Sequence, residues 1–423
     1  MTQDTASGVR LGLRPNLAQF SLLVLINAFV GGMVGLERSI VPLIAESDFG
    51  LVSRSVVLSF LVSFGLVKAA SNLFAGRLSD RLGRKLILTV GWLFGLPVPA
   101  IIILAPSWGW VVFANVLLGI NQGLCWSTTV IMKIDLVGPK QRGLAMGLNE
   151  FAGYLSVSLS AFGAGYLAAS YHLRPEPFYL GIAFALLGLA LSFFFVRETS
   201  LHARREAGLA PEAAGLNGNL ERPSFFKILH LTSWKNRALF AVSQAGMVNN
   251  LNDGMVWGLV PIFLTEAGLP LKQVGIVAAV YPGVWGLSQL ITGALSDRWG
   301  RKPMIVAGMW VQAVGIGAFA ISSSFWPWVG GAVLLGLGTA LVYPTFLAAI
   351  SDVARPEWRA SAMGIFRMWR DLGYAVGALM AGVLADVLNI RASIAAIGAL
   401  TLLSGLVVAG VMYETLPVRR GTN

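Results

Sequence analysis

Apolar residues in this chain fall in long blocks, not in the two-residue alternation of a half-buried strand. A helix crossing about 30 Å of hydrocarbon needs about 20 predominantly apolar residues. By that measure the blocks predict twelve spans, over 18–44, 55–77, 86–105, 109–133, 144–169, 177–196, 237–264, 272–294, 303–323, 327–350, 361–385 and 392–413. Connections such as Pro106-Ser107-Trp108 are very short, so consecutive spans should be antiparallel neighbours. One long stretch breaks the pattern. Residues 197–236 are polar and carry clustered charge, including Arg204, Arg205, Glu206, Glu212, Glu221, Arg222 and Lys227. The predicted organisation is a cytosolic tail (1–17), a six-helix bundle (18–196), a cytosolic linker (197–236), a second six-helix bundle (237–413) and a cytosolic tail (414–423). The first tail lacks the layout of a cleavable signal peptide.

Composition agrees: hydrophobic residues make up 56% and charged residues 12%, with mean hydropathy +0.72. The chain reads as an all-α, multi-pass membrane protein. Its formal charge of +11 does not point to nucleic acid, because the charges sit in short clusters between apolar runs. Topology explains them. With a cytoplasmic N-terminus, 23 of the 31 Lys and Arg fall on the inner side and four (Arg54, Arg174, Lys272, Arg391) on the outer side. The positive-inside rule then puts both termini in the cytoplasm. The single cysteine, Cys125, excludes an intrachain disulfide or a Cys-based metal site, and His172, His202 and His230 lie in or beside loops. No metal site is expected. Nor is there a P-loop, an H-E-x-x-H or a triad arrangement, so neither ATP-driven transport, an enzyme nor a cofactor is expected.

The two halves resemble each other. Gly76-Arg77-Leu78-Ser79-Asp80-Arg81-Leu82-Gly83-Arg84-Lys85 follows the second span; Gly293-Ala294-Leu295-Ser296-Asp297-Arg298-Trp299-Gly300-Arg301-Lys302 follows the eighth, 217 residues later. The same offset maps Leu118-Gly119 onto Leu335-Gly336, and Asp135, Pro139, Arg142 and Ala145-Met146-Gly147 onto Asp352, Pro356, Arg359 and Ala362-Met363-Gly364. A duplicated six-helix unit accounts for this, giving two pseudo-symmetric bundles related by an axis along the membrane normal.

On these residues the chain resembles the major facilitator superfamily of secondary transporters, whose signature loop is G-x-L-S-D-R-x-G-R-K. The resemblance covers essentially the whole chain. It implies a substrate path between the two bundles, opened to either side by rocking of one against the other. It also implies charge-relay contacts at the cytoplasmic face from Asp80 and Arg84, and from Asp297 and Arg301, with Arg81 and Arg298 in the same loops. The sequence departs from the family's proton-coupled drug exporters at two points. Asn115 stands where they usually carry an arginine in helix 4, and no proline interrupts Gly153 to Gly165 in helix 5.

Ionisable side chains inside a span are costly and mark a cavity or a partner. Here they are Glu37, Arg38, Lys68, Glu150, Asp253, Arg367, Arg370 and Asp371. Spans 3, 6, 9 and 12 hold none except at their ends, and they are the spans the family places against lipid. Arg367, Arg370, Asp371 and Tyr374 fall at i, i+3, i+4 and i+7, on one face. That face serves either an anionic or polar substrate group or an internal salt-bridge network. Helix 7 adds Asn249, Asn252 and Asp253, helix 5 adds Asn149 and Glu150, and helix 4 aligns Gln122, Trp126, Thr129 and Lys133. Lys68 precedes Asp80 by twelve residues and Asp371 follows Arg359 by twelve, so each should lie about 18 Å deep. A Lys68–Asp371 pair across the bundle interface is expected in one state.

Two classes of function follow. One is a secondary transporter, acting as a monomer in the inner membrane, that moves a small-molecule or ion substrate and exchanges protons at Asp253, Glu150 or Glu37. Efflux of a drug or inorganic ion and uptake of an organic anion both remain open within it. The other is a protein of the same fold that serves as a receptor, scaffold or assembly factor.

Overall fold

The computed structural model describes residues 10–137, 142–203, 224–354 and 356–416, while the side chains at 76, 77, 80, 142–146, 293, 294, 356, 357, 359 and 360 lie outside the described residues. Among the described residues, twelve long helical segments follow the predicted spans. They are α1 (Leu17–Ser47), α2 (Ser59–Leu82, led in by the turn Arg54–Val57), α3 (Arg84–Gly95, resumed as Val98–Leu104), α4 (Trp108–Val137), α5 (Arg142–Ser170) and α6 (Glu176–Phe194). The second half repeats the order: α7 (Arg237–Glu266), α8 (Leu271–Trp299), α9 (Arg301–Ile321), α10 (Phe325–Val353), α11 (Pro356–Val387) and α12 (Ile390–Val411).

Among the described residues nine helices are long and apolar enough to cross a membrane, and α2 adds a shorter apolar stretch, Ser59–Ala75. The runs of α7 and α11 are broken by their polar and charged residues. In α7 those residues never face the exterior, since nearly every position from Ala238 to Leu264 is buried.

Helices α2 and α8 continue past their predicted ends to Leu82 and Trp299. Outside the hydrocarbon a polar sequence can stay helical until something stops it, and here glycine does. Gly83 (φ 95°) and Gly300 (φ 98°) adopt a backbone that L side chains rarely take. They are repeat mates, and each turns the chain directly into the next helix.

Packing repeats as the sequence does. α1 packs on α5 and α2 on α4; correspondingly α7 packs on α11 and α8 on α10. The lobes meet through α2 against α11 and α5 against α8, again a symmetric pair. Helices α3, α6, α9 and α12 pack within their own lobes and present Phe94, Phe194, Val314 and Leu403 outward.

Glycines record which end of the lobe boundary is closed. A Cβ on Gly165 of α5 would meet Gly275 Cα of α8 at 2.8 Å, and one on its repeat mate Gly382 would meet Ser55 Cα at 2.6 Å. Gly147 and Gly364, repeat mates lower on α5 and α11, face open space instead. Among the described residues, the lobes are therefore sealed at the end away from the signature loops and show no such approach toward the loops.

Candidate functional site

Toward the loops lies a small cavity with about 30 Å³ of water-accessible space, between α2, α4, α5, α10 and α11. The internal charges predicted on α2, α5 and α11 converge on it: Lys68, Glu150, Arg367, Arg370 and Asp371 all line its wall. Glu150 accepts from Trp126 Nε1 at 3.0 Å and from Asn149 Nδ2 at 3.1 Å. Asn149 is tied back to α1, its carbonyl accepting from Asn27 Nδ2 at 2.8 Å. Arg370 donates from Nη2 to the Tyr154 hydroxyl at 3.1 Å, stands 4.3 Å over the Tyr343 ring and lies 3.7 Å from Asp371.

In this state the interface partner of Asp371 is Asn72. Asn72, one turn beyond Lys68 on α2, donates to Asp371, and Ser127 Oγ fixes Asn72 by donating to its Oδ1 at 2.7 Å. Lys68 makes no ion pair with Asp371; its Nζ stands 5.0 Å over the Tyr374 ring and 5.6 Å over Phe64. Helices α2 and α11 do meet near mid-span, but their axial register, one turn along α2, selects the amide over the ammonium.

Above the cavity an aromatic layer crosses the lobe boundary. Ring centroids step from Trp126 to Tyr154 (5.4 Å), Trp285 (3.6 Å), Tyr281 (5.8 Å), Trp257 (6.4 Å), Tyr374 (5.5 Å) and Phe64 (6.0 Å). Glu37 and Arg38 lie on its far side, in the sealed half. No hydrogen bond joins these two neighbours, because every guanidinium nitrogen of Arg38 lacks a hydrogen-bond partner among the described residues. On a helix, adjacent side chains diverge by about 100°. Asp253 is fully buried within this layer and accepts from the Tyr281 hydroxyl.

Other predicted residues serve the lobes instead of the cavity. Gln122 donates to Val30 O at 2.7 Å, binding α4 to α1. Asn252 donates to Gln312 at 3.0 Å and accepts from Thr401 at 2.7 Å, inside the second lobe, while Asn249 donates to Asn250 at 3.4 Å. The three polar residues of α7 thus do not share the cavity. Lys133, counted with the inner-face charges, is fully buried against Leu23 O at 3.2 Å. Tyr281, Trp285, Tyr343 and Asn72 escaped the sequence reading; the i, i+4 spacings of Lys68 with Asn72 and of Tyr281 with Trp285 are the signals that could have found them.

At the signature loops the two lobes repeat one construction. Arg84 Nε meets Asp135 at 3.1 Å and Arg301 Nε meets Asp352 at 3.1 Å. Arg301 adds Asp297 at 2.6 Å; the Asp80 side chain lies outside the described residues. Thr199 and Thr415 donate to the same two aspartates, at 2.8 and 3.3 Å. Glu198 accepts the backbone N–H of Lys85 at 3.0 Å, and Glu414 those of Arg301 and Lys302 at 2.9 and 3.1 Å. The Glu-Thr dipeptides after α6 and α12, 216 residues apart, thus make matching contacts in the two lobes. Burial tends to raise the Glu198 carboxyl, but the amides of Lys85, Ser200, Arg84 and Thr199 hold it below its usual value. Arg81 and Arg298 are exposed.

The profile of the Major Facilitator Superfamily matches residues 21–251 and 242–423. Two curated relatives match over part of their length: Inner membrane transport protein YnfM of Escherichia coli is 27% identical over 42% of this chain and 43% of that protein. Multidrug resistance protein MdtH of Klebsiella pneumoniae is 33% identical over 30% and 32%. Multidrug resistance protein MdtG of Salmonella typhi is 21% identical over 92% of this chain and 93% of that protein. In fold the chain is similar to the inward-open xylose transporter XylE from E. coli, with a TM-score of 0.71, 16% identity and coverage of 96% and 98%. It is also similar to the human organic anion transporter MFSD10, with a TM-score of 0.65, 18% identity and coverage of 93% and 99%. With the duplicated signature loops and the two symmetric lobes, these matches establish that the chain belongs to the Major Facilitator Superfamily.

Proposed function

We propose that this protein is a proton-coupled exporter of small organic solutes that carry an acidic group. The observation that carries the reading is the cavity, where Lys68, Arg367 and Arg370 face a water-accessible mouth beside Glu150, Asp371 and the rings of Trp126 and Tyr154. Three cations against two carboxylates favour a solute bringing one negative charge, and the rings favour a flat apolar body. The basic signature loops and linker support a cytoplasmic position for that mouth. On that orientation the state described here accepts solute from the cytosol. Relatives named multidrug resistance proteins support export over uptake.

Alternating access then works on groups already in place. Solute docks on Arg370 and Arg367, the lobes close around it from the loop end, and the far end opens. Glu150 is the coupling carboxylate in this reading: it faces the cavity and its hydrogen bonds come from Trp126 and Asn149 side chains, with no cation sharing them. Protonation from the outside returns the empty carrier. Asp253, bonded to Tyr281, is a second proton site.

Everted membrane vesicles energised by respiration test this. They should accumulate radiolabelled salicylate or benzoate, and a protonophore should abolish the gradient. Glu150→Gln should retain exchange of label and lose uphill accumulation. Absence of transport in everted and right-side-out vesicles alike would favour a receptor or scaffold instead.

A further inference from the structure

Arg38 is 1% exposed, and its three guanidinium nitrogens have no hydrogen-bond partner among the described residues. Its Cζ stands 4.5 Å over the Phe64 ring, 5.3 Å over Trp257 and 5.8 Å over Phe60. Three aromatic faces hold the charge in place without satisfying its five N–H donors, which is a costly way to bury a cation. Arg370, by contrast, has both a hydroxyl and a carboxylate nearby.

Arg38 also lines a closed pocket on the sealed side of the aromatic layer, where it is the one charged residue among the described lining. The opposite wall belongs to the second lobe and is apolar, built from such residues as Val260, Leu264, Val277, Phe319 and Leu335. In this state the pocket has room for little more than a single water. It lies across the lobe boundary, with its cation on α1 and its apolar wall on α7 to α10, so parting of the lobes at the sealed end would widen it and wet Arg38.

We propose that Arg38 and this wall form a second anion site, contracted here, that holds a monocarboxylate with an apolar body when the far end is open. The carboxylate would take the unused N–H donors of Arg38, and the body would lie on the apolar wall. This rests on the export reading only for its purpose, as the station that a solute leaves last; binding itself does not depend on that reading.

Octanoate is the probe, titrated calorimetrically into purified full-length protein carrying Asp386→Asn, which weakens the sealed end. Octanoate should bind and octanol should not. Arg38→Gln should weaken binding roughly ten- to hundredfold, and Arg38→Lys should keep most of it. A readout that keeps Arg38 intact guards against misfolding: with Cys125→Ser and Val277→Cys in the same background, octanoate should slow maleimide labelling. No octanoate binding, equal binding by Arg38→Gln, or labelling untouched by octanoate would each overturn the proposal. Arg38-dependent binding without vesicle transport would sink the export reading alone.

Discussion

Asn72 of α2 donates to Asp371 of α11 across the lobe boundary, one turn from the lysine that carries the only charge near the middle of α2. This bond and the Ser127 bond behind it join α2, α4 and α11 at the roof of the cavity. A hydrogen bond to a charged group contributes about 1.5–3 kcal/mol, so Asn72→Leu should shift the lobe equilibrium roughly ten- to hundredfold away from this state. Lys68→Ala should shift it less, because Lys68 meets rings and no carboxylate. Interlobe distances measured by pulsed electron resonance in a Cys125→Ser background would separate the two.

The sealed end has its own latch. Asp386 accepts from Ser53 Oγ at 2.8 Å, Ser55 N at 2.9 Å and Ser55 Oγ at 2.6 Å, and Arg54 bonds both Glu46 and Glu266. Burial opposes ionisation of Asp386, but the donors from Ser55, Arg54 and Ser53 outweigh it and hold the carboxyl below its usual value. A depressed carboxylate stabilises the closed latch fully above the ordinary aspartate value, about 3.9, and loses that contribution as pH falls through the lowered value. Spin labels at Val52 and Leu388, both exposed, should report one distance from neutral pH down to about pH 5 and a longer one only below about pH 4. Asp386→Asn should lengthen it at neutral pH.

Bulk at symmetric glycines should trap opposite states. Gly165→Leu cannot fit against Gly275, nor Gly382→Leu against Ser55, without parting the sealed end. Gly364→Leu has open space here and should obstruct closure of the loop end. Labelling of Val277→Cys should rise in the first pair and stay low in the last.

Arg84–Asp135 and Arg301–Asp352 are matched in geometry and low in exposure. Removing one partner from such a pair typically costs about 3–5 kcal/mol. Asp135→Ala and Asp352→Ala should each lower the melting temperature in detergent and reduce transport, and Asp352→Asn, which keeps an acceptor for Arg301 and Thr415, should lose less. Equal melting of all three with the parent would show that the pairs contribute nothing to stability.

Much of the architecture was legible in one dimension. Span positions follow from hydropathy, and the outward-facing set from the absence of charge in α3, α6, α9 and α12 away from their ends. Lobe symmetry follows from the 217-residue offset. The clustering of Arg367, Arg370 and Asp371 follows from helical spacing. The limits lay in contacts. Asp135 and Asp352 stood in the repeat without any sign that they meet Arg84 and Arg301, 51 residues away in each lobe.

Hydropathy and period depend on the order of residues alone, so the sequence by itself determined the helices, the two lobes and the inward faces of α5 and α11. It could not choose between groups one turn apart. Whether Lys68 or Asn72 reaches Asp371, whether Asn252 joins the cavity or the lobe interior, and whether Arg38 shares a chamber with Arg370 depend on helix rotation and on the register between lobes. Those are decided by packing between segments distant in the chain, where one residue along a helix swings a side chain by about 100°.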